Sequence, residues 1–138
     1  MPETAYKAEL AALASHLGAR RGLILDLWLK AVQTDPHLAR HSRLSRSQFY
    51  DQVPAILEAF ERELRAGHGS EAAAAEEEQR EGAGDHGLDR WRLGYNQSEV
   101  IREWGHLQLC LVDELEAYAA AHRELEEDVM SYARRALA

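Results

Sequence analysis

Apolar residues recur along the first quarter of the chain at Leu10, Leu13, Ala14, Leu17, Ile24, Trp28, Ala31 and Val32. This is the spacing of one face of an α-helix. The phase survives Gly18 and Gly22, so residues 4–33 are expected to form one long helix or two stacked on a common face. Asp35-Pro36 stops the pattern, because the residue before a proline is pushed out of the α region. Residues 34–44 are polar and aperiodic, which reads as a loop. Ser45 followed by Gln48 has the form of a capping box. A short helix over 46–52 is expected after it. A second should carry Pro54 in its first turn, where the missing N–H costs nothing, and run to Arg65. Its buried stripe is Ile56, Leu57, Phe60 and Leu64. Gly67-His68-Gly69-Ser70 ends it.

Residues 71–94 open with EAAAAEEEQRE, an acidic start that suits the positive end of a helix dipole. Gly82, Gly84 and Gly87 interrupt this helix. Each costs up to about 1 kcal/mol there, so close packing against a neighbour or local flexibility is needed to explain them. Gly94-Tyr95-Asn96 reads as a turn, with Gly94 closing one helix and Asn96, with Glu99, capping the next. Val100, Trp104, Leu107, Leu111, Leu115, Tyr118, His122, Leu125, Val129, Tyr132 and Ala136 then follow in steps of three and four. The later part is a heptad seam. It predicts one helix of about forty residues, or two nearly collinear ones. No strand-like alternation stands out. The fold expected is all-α: one domain over 1–138, with a bundle core over about 4–121 and a projecting C-terminal helix over about 122–138.

Composition narrows the function. With 46% hydrophobic and 29% charged residues in 138, the chain falls in the range of single globular domains. A net charge of −8 argues against a nucleic-acid partner. The locally basic run from Arg40 to Arg46 reads as a solvated loop. Cys110 is the single cysteine, so neither an internal disulfide nor a Cys-rich zinc site can form. No apolar run reaches the length of a membrane span, and the N-terminus lacks a signal-peptide pattern. A cytoplasmic location is expected.

The candidate chemistry is sparse. Residues 82–87 match G-x-G-x-x-G literally, but without the preceding strand that a dinucleotide site needs. His37 and His41 have the spacing of two metal ligands, yet they flank a proline in a loop, and no metal site is expected. Cys110 reads as a small core or boundary residue. The stretch DHGLDRWRLGYNQSEVIREW over 85–104 is more informative. With Tyr95 as the bend between two antiparallel helices, His86 comes level with Trp104 and Arg90 lies near Glu103. An Arg90–Glu103 ion pair or a His86–Glu103 hydrogen bond is within reach. On a helical wheel Gly84, Leu88, Trp91 and Tyr95 share one side, which reads as core. His86 lies off that stripe, towards a second neighbour, a partner subunit or solvent. Trp91, Tyr95 and Trp104 read as ordinary core aromatics.

His86-Gly87, Arg90, Gly94-Tyr95, Val100, Glu103-Trp104 and Leu107 together resemble the pattern H-G-x-x-R-x-x-x-G-[FY]-x-x-x-x-[VL]-x-x-E-[YFW]-x-x-L. The pattern marks N-terminal domains of the RsbRD type, named after stressosome co-antagonist proteins. Similar domains precede bacterial sensor histidine kinases. LSRSQFYDQVPAILEAF resembles the helix-proline-helix stretch of the same family. The chain departs from the pattern at Gln108, where arginine is frequent, and at Gly82 and Gly84, where alanines are usual.

The resemblance implies a globin-like sensory domain without haem or other cofactor. Such a domain dimerises and relays a signal through its last helix to a histidine kinase or stressosome-type partner. His86, Arg90, Gly94, Tyr95, Glu103 and Trp104 are its signature residues, and an unidentified small molecule is a conceivable signal. The periodicity suggests how two copies would pair: in parallel, burying Leu111, Leu115, Tyr118, Leu125, Val129 and Tyr132, with His122 opposite its symmetry mate. The reading is of a non-enzymatic regulatory homodimer. The alternatives are a haem- or small-ligand-binding globin-like protein with His86 as axial ligand, and a ligand-free dimerisation scaffold.

Overall fold

A computed structural model describes residues 2–38, 44–125 and 127–137. Among them the chain forms seven α-helices and no strand: α1 (Pro2–Ala19), α2 (Arg21–Gln33), α3 (Arg46–Tyr50), α4 (Val53–Ala66), α5 (Ser70–Arg92), α6 (Gln97–Ala121) and α7 (Glu127–Leu137). The all-α expectation is met. Residues 4–33 resolve into two helices that break at Arg20, and both turn the expected stripe inward: Leu10, Leu13, Ala14, Leu17, Ile24, Trp28 and Val32 are all buried.

Local signals fall where their chemistry puts them. Ser45 and Gln48 form a complete capping box at α3, and Asn96 and Glu99 form another at α6. Pro54 sits in the first turn of α4. Gly67 (φ 73°) and Gly94 (φ 94°) take the left-handed conformations that end α4 and follow α5. Helix α4 is the hub, packing on α1, α5 and α7, while α6 packs on α2 and α7. Gly82 explains the close approach of α5 to α4, because a Cβ there would lie 2.7 Å from Ile56 Cγ1.

The C-terminal expectation needs correction. There is no helix of forty residues and no projecting seam. Helix α6 ends at Ala121, and a turn through Arg123–Leu125 leads to α7, which folds back onto α6, α4 and α1. Leu111, Leu115, Tyr118 and Val129 belong to the chain's own core, with Leu125 and Tyr132 packed at its margin. They are therefore not available as a parallel dimer seam.

His122 does not face a symmetry mate either. It caps α6, its ring stacks on Tyr118 at 4.0 Å, and its Nδ1 lies 2.9 Å from the Tyr118 carbonyl. The physical reason is burial. Folding back removes Val129, Met130 and Ala133 from water. A buried Val or Met gains about 1.5–3 kcal/mol, against about 1 kcal/mol for each backbone hydrogen bond interrupted.

Candidate functional site

The wheel drawn for α5 is inverted in the structure. Leu88 and Trp91 point outward, Trp91 being 68% exposed, whereas His86 and Arg90 are buried at 1% and 0%. Trp91 is thus not a core aromatic, and His86 faces neither solvent nor a second subunit. Tyr95 is buried as expected, and Trp104 packs at the edge of the core. Two things turn the charged side of α5 inward. The small residues Ala72, Ala75 and Gly82 bring α5 close to α4, and the interior is furnished with groups that satisfy Arg90.

Arg90 Nε donates to Glu103 Oε1 at 2.7 Å. Its Nη1 donates to the Gln48 carbonyl at 3.0 Å, and its Nη2 to the Phe49 carbonyl. The guanidinium also lies 5.2 Å from the ring centroids of both Phe49 and Tyr95, a cation–π sandwich. One side chain therefore ties α5 to α6 and to the C-terminal carbonyls of α3. Glu103 is held twice: its carboxylate takes Arg90, and its backbone carbonyl accepts the Trp28 indole N–H at 2.9 Å. A buried ion pair survives only with such supplementary hydrogen bonds. Both contacts expected at this corner are present, since His86 Nε2 lies 3.3 Å from the same Glu103 oxygen.

The other face of His86 meets a residue that sequence reasoning missed. Its Nδ1 lies 3.2 Å from Asp51 Oδ2. Asp51 sits between α3 and α4 with φ 49° and ψ −121°, a conformation that costs a non-glycine residue about 1–3 kcal/mol. Burial raises the Asp51 carboxyl above its ordinary pKa, with a hydrogen bond to Asp89 and that group's charge adding to the effect. Asp89 is held below its ordinary value, chiefly by the Gln52 amide, which donates to it at 2.9 Å. Both neighbours of the imidazole are carboxylates. It can bond both at once as imidazolium, or as neutral imidazole with a proton on Asp51. Tyr95 closes the far side, its phenol held well above the usual range by burial and then by the Glu103 charge. The sequence gives no sign of this role, since Asp51 falls inside the short helix expected over 46–52, whereas α3 ends at Tyr50.

This arrangement can bear charge and move a proton between His86 and Asp51. His86, Arg90 and Glu103 are shielded from solvent, while the Asp51 carboxylate is partly exposed. Axial ligation of haem by His86 finds no support in the geometry, since both ring nitrogens are directed at carboxylates.

Elsewhere, His37 donates its backbone N–H to Asp35, and His41 lies outside the described residues, as do Arg40, Ser42 and Arg43 of the basic run. Gly82–Gly87 lies within α5 with no strand before it. Cys110 is half-buried at the core's edge. Among the described residues no cluster of His, Cys, Asp or Glu is arranged to hold a metal. None of their helices is long and apolar enough to cross a membrane. Comparison with protein-family models, curated proteins and solved structures gives no match to this chain.

Proposed function

We propose that the chain is a non-catalytic regulatory domain. Its conformational state is set by the Asp51–His86–Glu103–Arg90 cluster and delivered by α7. The observation that carries this reading is the sealing of three ionisable groups, His86, Arg90 and Glu103, at the meeting point of three helices, with the partly exposed Asp51 beside them. Such groups are costly where apolar residues would pack as well, and their best-attested use is to fix a register or a switch. Helix α6 carries Glu103 near one end and leads into the turn before α7 at the other. A shift at the corner is thereby offered to a short helix that docks through Val129, Met130 and Ala133.

The resemblance at 85–107 supports a sensory role in a cytoplasmic homodimer, with a histidine kinase or stressosome-type module as the output partner. A small molecule remains the class of signal that the resemblance suggests. Hydrogen exchange tests the reading on wild type and Glu103→Gln. The expected result is faster exchange in α7 as well as at the α5–α6 corner. Faster exchange confined to residues around 85–105 would overturn the relay and leave a structural ion cluster.

A further inference from the structure

We infer that the outward face of α5 is the interface between two copies of this chain. The inference deepens the homodimer part of the proposed function and replaces the C-terminal seam, which the fold consumes internally.

Three observations converge on that face. Leu88 and Trp91 lie on it at 47% and 68% exposure, an apolar pair left open by the described residues. Gly84 and Gly87 lie beside them, and a Cβ at either would meet nothing within 4 Å. Unlike Gly82, they have no reason within the monomer, although glycine is the poorest helix former after proline. The charges around the face are also self-complementary. Arg92 is 69% exposed and only loosely paired with Asp89 at 3.7 Å. Glu81 and Asp85, on the same flank of α5, are exposed and carry no ion pair among the described residues.

These features fit one another under a two-fold axis. A two-fold interface sets the same patch of each subunit against itself. If the axis passes between Gly87 and Leu88 and the two α5 helices run antiparallel, Gly84 comes level with the partner's Trp91 near the middle of the face. Gly84 then receives the Trp91 side chain of the other copy, and the close approach that glycine permits is used. In the same register the partner's Arg92 comes level with Ala83, between Glu81 and Asp85. Because like flanks meet in an antiparallel pair, the arginine of each copy reaches the two carboxylates of the other. One register thus satisfies both shape and charge.

Sedimentation velocity over a concentration series tests this on the full chain. Wild type is expected to self-associate. Trp91→Glu and Gly84→Leu, both at open surface positions, should sediment as monomers with unchanged circular dichroism. Arg92→Glu should weaken the dimer at least about tenfold, a loss of about 1.4 kcal/mol, and the triple variant Glu81→Arg, Asp85→Arg, Arg92→Glu should restore it. A wild-type dimer indifferent to Trp91→Glu and Arg92→Glu would overturn this face alone and move the interface elsewhere, Ile101 and Leu109 being the most exposed of the remaining large apolar residues to vary. A wild type that is monomeric throughout the series would overturn both this inference and the homodimer.

Discussion

Arg90 has no contact with water in the folded chain, and five groups hold it: the Glu103 carboxylate, two backbone carbonyls and two aromatic rings. Truncating it leaves the Glu103 charge buried without its strongest partner. Arg90→Met should lower the unfolding free energy by about 3–5 kcal/mol, and Arg90→Met with Glu103→Leu should recover much of the loss. Urea unfolding of the two variants reads both. The glycines of α5 offer a second contrast at this scale. Gly82→Ala should destabilise by about 1–3 kcal/mol, because its methyl group would run into Ile56. Gly84→Ala should stabilise the monomer by about 0.5–1 kcal/mol, since its surroundings are open and the helix gains. The same denaturation experiment, run at low protein concentration, should give opposite signs for two glycines two residues apart.

Between elements, the turn after α2 is pinned to α6 by one carboxylate. Asp35 accepts from Arg102 Nε and from His106 Nε2 at 2.7 Å. These bonds, Arg102's first, hold the Asp35 carboxyl far below its ordinary value. For an acid with a lowered folded pKa, the stabilisation is complete above the unfolded value of about 3.9 and is lost as pH falls below it. Glu114, lowered chiefly by Arg20, adds to the same loss. Acid unfolding of wild type should therefore steepen below about pH 4. Asp35→Asn should be less stable at neutral pH and should show a shallower dependence, as a series of thermal melts would record. At the start of α6, Asn96→Ala should cost about 1 kcal/mol by opening the capping box.

Elements closed by local chemistry were legible in the sequence: both capping boxes, Pro54 at the start of α4, and Gly94 after α5. The facing of α5 was not. A hydrophobic wheel ranks Trp91 above Arg90, whereas burial here is decided by Glu103 together with Gln48 and Phe49, which are distant in sequence. The break before α7 left a sign that the heptad count outweighed. Glu127 and Asp128 open α7, and Arg134 and Arg135 close it, the charge order of a helix with its own dipole.

At the scale of the whole molecule, α7 starts at the end of α6 far from the corner near residues 85–104 and runs back along it, so that Ala136 and Leu137 line a cavity with Trp104 and Leu107. Arg134 pairs with Glu116 across the α6–α7 junction, with Arg134 44% and Glu116 50% exposed, so that contact adds little. Docking of α7 rests on its apolar stripe, and a small change in the set of α6 is enough to bias it. Spin labels on exposed Arg135 of α7 and Glu77 of α5, in a Cys110→Ser background diluted with unlabelled protein, report that docking as a distance distribution. The account predicts a single distance in wild type and a second, longer population in Glu103→Gln. The same single distance in both proteins would contradict it.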